Sequence, residues 1–578
     1  MSDRQLGGVN GPSGNFSTRS VSMETSDDRF IVSVDDDPDA DTVSMGEMSG
    51  SNYTIVHDLS EEIGYVVVQG DESWMPAEAE FVRDRVIQID DPVTQLSPDE
   101  VAKPDGLDPQ SIQQWDKLEQ NAGQIPADAG SGARIGIVDS GVIGAKAGDG
   151  VPEHPDLPRG SKVLTGSGEP NDDGVFEGPS YNFTGDGTGP GPVTDPHGTE
   201  CAGTAAAADN GTGVAGIAPG AEIVDLRVFP AEGGAATGDI LAAMVAGATP
   251  RDETVNVTVG EVVDDSMPRE VRGSGCDVLN LSLGLPPLVP IPEGPLPSLP
   301  SPLIAVPLRT IAFFGGMYTS AAQYALSEGT LPIASAGNSG VGLGIPLSDD
   351  RQVPRLQDPE IDAAPVTFPA NAEGFVSVGA TGPIGYGWSA DGDGVFFQTE
   401  LPEYEPAQYS NYGTSDPTIA GGTAVDVTAG GGNFDSGAFA SIDAIEAGDP
   451  IFDLLYTTAF TGDRRGGSLS PNFTFTAGTS FSAPNVAGLA ALLYGFGDDP
   501  TPEAVRTTIE ESAEQLPVGR AGQTAAASVG TPNAATDSVF DGDSPSAPGR
   551  VSGRLDPADH RGNGHIDVLA AIEPFLQG

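Results

Sequence analysis

From about residue 132 onward, short unbroken apolar segments alternate with Ala- and Gly-rich ones, and this alternation restricts the fold more than any other feature. The apolar runs are "ARIGIVDSG", "AEIVDLRVF", "DVLNLSLG", "LPIASAGN", "FVSVGATG" and "VDVTAGG". Helix-like segments lie between and after them: "GTECAGTAAAA", "GDILAAMVAGA", "YTSAAQYALSEG" and "SAPNVAGLAALLYGF". A strand with no polar face must be buried on both sides, which is the situation in a parallel sheet covered by helices on both faces. The pattern predicts an α/β fold in three layers, with a mostly parallel central sheet. In such sheets functional residues gather at the carboxyl ends of the strands. The run "PPLVPIPEGPLPSLPSP" (286–302) interrupts the pattern. Proline donates no ladder hydrogen bond, so this run reads as a surface insertion. The insertions at 286–310 and 341–366 flank the expected cleft.

Upstream the chain has a different character. Residues 1–27 read as a disordered polar leader, rich in Gly and Ser. Residues 28–96 read as a small α+β unit. Its alternation starts at Phe30, Val32 and Val34 and continues through "YTIVHDL" and "GYVVVQGD". A helix is expected from "MPAEAEFVRDR", leading into "VIQIDD". Residues 97–131 form a linker and lead-in, with a short helix at "SIQQWDKLEQ". Residues 132–578 form the main domain.

Charge excludes several classes of function. The chain carries 84 Asp and Glu against 25 Lys and Arg, a formal net charge of −59. Such a surface repels nucleic acid and anionic membranes. The acids are spread along the whole chain, and a hydrophobic fraction of 38% argues against global disorder. A folded protein this acidic repels itself unless salt screens it, which points to a halophilic source. The two cysteines, Cys201 and Cys276, make no disulfide framework and are expected as free buried thiols. The amino terminus shows neither an apolar signal core nor a twin-arginine pair, and no stretch reaches about 18 apolar residues. A monomer with no membrane or nucleic-acid partner is expected.

Four polar residues stand out against this background. Asp139 closes the strand "IGIVDSGV" and His197 opens "HGTECAGTAAA"; Asn338 follows the strand in "ASAGNSG", and Ser480 lies in "GTSFSAPNVAGLAALL". Each has an ordinary explanation alone: a turn-capping carboxylate, a structural imidazole, a turn Asn, a helix-capping Ser. Together they supply what acyl transfer needs. A hydroxyl attacks, a histidine takes its proton, a carboxylate orients the imidazole, and an amide donates to the oxyanion. The order Asp, His, Ser along the chain is that of subtilisin.

In these segments the chain resembles the subtilisin-like serine proteases, the subtilase or S8 family, over about residues 112–575. The resemblance implies a serine endopeptidase with Asp139, His197 and Ser480 as triad, Asn338 as oxyanion donor, and no cofactor required for chemistry. The first serine of its box is the family's nucleophile, so Ser480 is assigned the chemistry and Ser482 a structural role. Pro484 lacks an N–H and fits near the first turn of a helix, which places the helix start around 480–483, with Ser480 at the cap position. The resemblance also implies peptide pairing along Ser282, Leu283 and Gly284, with Ala336 and Gly337 nearby and a second edge near "FPAEGGAATG" (229–238). Cys201, one helical turn after His197, is assigned to packing. The family's second histidine in this box is replaced by Glu200. Asp156 and Asn210 resemble a calcium loop, and a tight Asn-Gly turn without any ion is the alternative. Residues 28–96 have the size of the family's propeptide, so the partners expected are polypeptide substrates and this unit. Family habit favours export and the amino terminus shows no signal, which leaves localisation open.

Overall fold

The computed structural model describes residues 25–35, 43–49, 53–87, 114–146, 152–260, 269–291, 304–340, 367–383, 405–413, 425–433, 453–514 and 562–576, apart from 124, 167–169, 212, 408, 467 and 498–499. Most of the linker (88–113), the insertion 341–366 and the leader before residue 25 lie outside the described residues.

The amino-terminal unit is an antiparallel sheet of strands β1 (Thr25–Ser33), β2 (Thr54–Leu59), β3 (Tyr65–Gln69) and β4 (Phe81–Ile87), in the order β2-β3-β1-β4. Two short helices, α1 (Met45–Ser49) and α2 (Ser60–Ile63), accompany it. Side chains alternate along each strand, so one face packs Phe30, Val32, Val66 and Val68 into a small core of the unit's own. The other face sends Ile31, Leu59 and Val67 into the main core. The helix expected from "MPAEAEFVRDR" is not formed. Phe81–Ile87 is a strand, pairing Phe81 with Val32, Val82 with Ile31 and Arg83 with Phe30. The Ala and Glu residues before it suggested a helix, but they form turn and coil, and the alternation that follows them decides the conformation.

A short helix α3 (Trp115–Glu119) lies where "SIQQWDKLEQ" predicts one. Its Trp115 is fully buried, and the indole N–H donates to Leu454 O at 2.9 Å. The main domain then runs β5 (Arg134–Asp139), β6 (Val163–Leu164), β7 (Tyr181–Asn182), α4 (His197–Ala206), β8 (Glu222–Arg227), β9 (Ala235–Ala236) and α5 (Thr237–Ala248). It continues with β10 (Thr254–Val257), β11 (Arg269–Arg272), β12 (Val278–Leu281), β13 (Leu288–Ile291), β14 (Ile304–Pro307) and α6 (Leu308–Ser327). The last part comprises β15 (Leu331–Ser335), β16 (Val376–Gly382), β17 (Glu405–Pro406), β18 (Val427–Gly430), β19 (Leu455–Asp463), β20 (Ser468–Thr476), α7 (Thr479–Phe496), α8 (Pro502–Ser512) and α9 (Val568–Leu576).

The central sheet has the order β17-β16-β15-β12-β5-β8-β6, with β18 added on β16 and β7 on β8. All its pairings are parallel except β16 with β17. Successive residues face opposite layers. Ile135, Ile137, Ile223 and Ile333 pack under α4 and α7, while Val138, Val224, Leu226 and Leu279 pack under α5 and α6. This is the predicted three-layer arrangement. The Pro-rich insertion is less superficial than expected. Its flanks pair in parallel as β13 and β14, and Leu288 and Val306 join the core. Apolar side chains at its two ends outweigh the proline content between them.

Candidate active site

The site is assembled at the carboxyl ends of three neighbouring central strands. Asp139 is the last residue of β5, Ser282 follows β12 directly, and Asn338 lies just beyond β15. His197 opens α4, and Ser480 is the second residue of α7. Two glycines allow these pieces to approach. A Cβ on Gly198 would lie 2.8 Å from Gly141 O, and one on Gly488 would lie 2.6 Å from Ala205 O, where α7 crosses α4.

Asp139 and His197 are buried together. His197 Nδ1 donates to Asp139 Oδ1 at 2.8 Å and lies 3.0 Å from Oδ2. This contact fixes the tautomer and leaves Nε2, itself buried, without a hydrogen-bond partner among the described residues. Burial alone lowers the imidazole's proton affinity. The Asp139 carboxylate, helped by the Cys201 sulfur, more than offsets this and raises the His197 pKa well above the usual histidine value.

Ser140 was not singled out in the sequence, yet it braces the pair. Its N–H donates to Asp139 Oδ1 at 2.6 Å, and its Oγ accepts the Gly198 N–H at 2.9 Å. A hydroxyl next to the catalytic-type carboxylate in "VDSG" is the only signal that points to it. The carboxylate of Asp195 accepts the His197 N–H at 2.9 Å, so the first turn of α4 is capped from two directions.

Ser480 does not occupy the cap position. The helix starts at Thr479 with Gly478 as its cap residue, and Pro484 is its sixth residue, deeper than expected. The missing N–H of Pro484 leaves the Ser480 carbonyl without its helical donor. That oxygen accepts instead from Ser282 Oγ at 2.7 Å and from Cys201 Sγ at 3.4 Å. The Ser480 hydroxyl in turn donates to Ser282 O at 3.4 Å. Ser282 therefore touches the serine directly, a contact the sequence did not announce. Burial pushes the Cys201 thiol up to about 11, which fits its assignment to packing. Both cysteines are free thiols.

Asn338 faces the start of α7. Its Oδ1 accepts the Thr479 N–H at 2.9 Å and the Thr479 hydroxyl at 2.8 Å, and a Cβ on Gly478 would lie 3.3 Å from its Nδ2. Thr479 thus sets which way the amide points, a role that sequence reasoning missed. Ala336 and Gly337 line this region, but their main chains are engaged internally. Asn411 holds Ala336 O at 2.8 Å and Gly337 O at 2.9 Å, while Thr479 Oγ1 accepts the Gly337 N–H at 3.0 Å. Leu283 is buried, and Gly284 stands half-buried beside Phe368 O. The second edge, near 229–238, is already occupied. Ala235 and Ala236 of β9 pair antiparallel with Ile87 and Val86 of the amino-terminal unit.

Asp156 and Asn210 are brought together away from these residues. Asn210 Nδ2 donates to Asp156 Oδ1 at 2.9 Å, and the Val214 N–H donates to Oδ2 at 2.9 Å. Calcium takes oxygen ligands. In this arrangement each carboxylate oxygen accepts one N–H, as in the ion-free Asn-Gly turn given above as the alternative.

Residues 130–538 match the model of the subtilase family, peptidase S8. The chain belongs to the subtilase family. Among curated relatives, this subtilase is 25% identical over 389 residues to the thermophilic serine proteinase of Bacillus sp. strain AK1, a match covering 67% of this chain and 57% of the relative. It is 26% identical over 505 residues to the extracellular protease of Xanthomonas campestris pv. campestris, covering 82% and 65%. The chain thus spans less than two thirds of the length of these two relatives. Among solved structures, the epidermin leader peptide processing serine protease of Staphylococcus aureus shares the fold, with a TM-score of 0.51, 15% identity, and coverage of 95% of this chain and 99% of that one. No helix among the described residues is long and apolar enough to cross a membrane.

Proposed function

We propose that this subtilase is a serine endopeptidase working through an acyl-enzyme, with Ser480 as nucleophile, His197 as general base and then acid, and Asp139 as the group that orients the imidazole. The observation that carries the reading is the buried 2.8 Å contact between His197 Nδ1 and Asp139, which leaves Nε2 free of the carboxylate, with Ser480 close by: the Cys201 sulfur lies 3.9 Å from His197 Nδ1 and 3.4 Å from Ser480 O. On binding substrate, the Ser480 hydroxyl leaves Ser282 O and gives its proton to Nε2; such contacts commonly tighten only in the complex. The oxygen attacks the scissile carbonyl, and the imidazolium, stabilised by Asp139, protonates the departing amine. Water then repeats the cycle on the ester. The Ser480 N–H, in the first turn of α7 where helical N–H groups lack intrahelical acceptors, and the Asn338 amide donate to the oxyanion. No metal is needed for these steps. Hydrolysis of casein that is lost on treatment with a sulfonyl fluoride tests the reading; peptide binding without cleavage would instead indicate a binding protein on this fold.

Asn338→Ala is expected to lower kcat by about 10²–10³-fold, as for the oxyanion Asn of subtilisin. Wild-type turnover in this variant would remove Asn338 from the mechanism.

The amino-terminal unit is proposed to be a propeptide. Its last described strand pairs with β9, the edge expected to receive substrate, so the unit and a substrate compete for one place. Mass spectrometry of the active enzyme is expected to find a new amino terminus between about residues 97 and 112, the stretch where sequence composition turns from unit to linker. An active enzyme that retains residue 87 covalently would contradict this.

The reading extends to high salt. With a net charge of −59, melting temperature is expected to rise steadily as sodium chloride is raised from about 0.1 M to the molar range, because screening relieves self-repulsion. A flat or falling dependence would contradict halophilic adaptation.

A further inference from the structure

The amino-terminal unit is gripped at both edges of its sheet, and only one grip concerns the active site. Its four strands sit inside a seven-stranded sheet of order β11-β10-β2-β3-β1-β4-β9. At one end, β4 meets β9 through two residue pairs, Val86 with Ala236 and Ile87 with Ala235. At the other end, β2 meets β10 with Asp58 opposite Asn256 and His57 opposite Val257. An exposed strand edge invites pairing, and here the main domain supplies a partner on each side.

The β10 edge belongs to the main domain. Val255 and Val257 of β10 and Val271 of β11 are buried in the core that contains α5, while Thr254 and Asn256 point to solvent. β10 and β11 form four consecutive antiparallel pairs, from Thr254 with Arg272 to Val257 with Arg269. The outer side of β11 is fixed in turn by Phe176, whose N–H donates to Glu270 O and whose O accepts the Arg272 N–H, both at 2.9 Å. The pair is therefore a mounted edge that does not depend on the unit for its own anchoring.

The seam carries specific contacts besides the ladder. The Thr258 N–H donates to His57 Nδ1 at 3.1 Å, and the Thr258 hydroxyl donates to Val56 O at 2.6 Å. His57 is fully buried, and its Nε2 donates to Asp239 Oδ1 on α5 at 2.9 Å. Asp239 also pairs with Arg29 of β1, Arg29 pairs with Asp84 of β4 at 2.7 Å, and Asp84 accepts the Gly238 N–H at 3.1 Å. One network thus runs under the unit from the β10 seam to the β9 side. On α6, Phe313 meets Tyr65 edge to face and Phe314 lies under the Arg85 guanidinium. None of these contacts involves the connecting segment.

We propose that β10 and β11 form a dedicated docking edge for the amino-terminal unit, a second grip that sets how long the unit stays on the main domain once the connecting chain is cut. The proposal deepens the propeptide reading and rests on it for its regulatory meaning. Without the β10 seam, the strand pairing between the unit and the main domain described here reduces to the two-pair contact at β9, which a competing peptide can take over. With the β10 seam in place, it stays docked while β9 exchanges partners.

The test uses the full chain with a recognition site for a sequence-specific protease placed at residue 103, in a Ser480→Ala background so that no other cut occurs. After nicking, release of the unit is followed by size-exclusion chromatography. Two seam variants are compared with the parent. Thr258→Pro removes the N–H to His57 and the hydroxyl to Val56 O, while Val257 before it is already extended, as a residue preceding proline prefers. His57→Leu removes the acceptor of the Thr258 N–H from the side of the unit, together with the bond to Asp239, and leaves the Thr258 hydroxyl on Val56 O. Both are expected to release the unit at least tenfold faster, with the melting temperature of the freed main domain unchanged. Release at the parental rate in both variants overturns the proposal. The same nick made with Ser480 intact separates this proposal from the propeptide reading. Casein hydrolysis at the full rate with the unit still bound overturns inhibition by the unit and leaves the docking edge standing.

Discussion

Ser480→Ala is expected to reduce kcat for peptide hydrolysis by about six orders of magnitude, the scale reached in subtilisin when its nucleophile is removed. The loss follows from the site's construction. Cys201 Sγ stands only 3.9 Å from His197 Nδ1, but it donates to the Ser480 carbonyl, and burial pushes its pKa up to about 11. A protonated thiol beneath the imidazole does not replace a hydroxyl in front of it. Ser482 does not replace Ser480 either, since it is fully buried and faces Gly431 inside the domain. The variant should fold, because removing one hydroxyl leaves the bond from Ser282 Oγ to the Ser480 carbonyl in place. Initial rates on casein at matched concentrations of folded protein measure the effect. Retention of more than about a thousandth of the parental rate would place the nucleophile elsewhere.

Asp139→Asn carries the second-largest expected effect, about 10⁴-fold in kcat, because the amide lets the imidazole settle in the wrong tautomer. The pH dependence separates this from a loss of folding. In the parent, Asp139 raises the His197 pKa well above the usual histidine value. The neutral imidazole is the active form, so kcat/KM is expected to rise with pH through that elevated pKa and to level off on the alkaline side. Without the carboxylate, burial acts unopposed by its largest counterweight and the ascending limb moves to lower pH. A limb that stays in place in Asp139→Asn would mean that another group governs the profile.

The central sheet was legible because its strands are buried on both faces, and such strands show as unbroken apolar runs wherever they occur. The triad candidates and Asn338 were legible because the close packing of the site confines polar groups to a few strand and helix ends. Other features depended on distant pairing. The strand at Phe81–Ile87 is specified by its register with β1, some fifty residues away, and the Ala and Glu residues before it resemble a helix. "TVNV" at 254–257 alternates clearly, but no local signal says that it extends the sheet of the amino-terminal unit. Ser282 and Thr479 are small polar residues in apolar surroundings, and their contacts with Ser480 and Asn338 exist only once β12, β15 and α7 meet. The Asp156 and Asn210 pair belongs with these. The residue types suit both calcium and an ion-free turn, and which N–H groups reach the carboxylate is set only once the loop folds.

The most direct test of the account is covalent labelling of the processed enzyme with a peptidyl phosphonate, followed by peptide mass mapping. A single adduct on Ser480 is expected, formed in step with the loss of caseinolytic activity and absent in Asp139→Asn on the same time scale. An adduct on Ser482 or Cys201, or full activity loss with Ser480 unmodified, would contradict it.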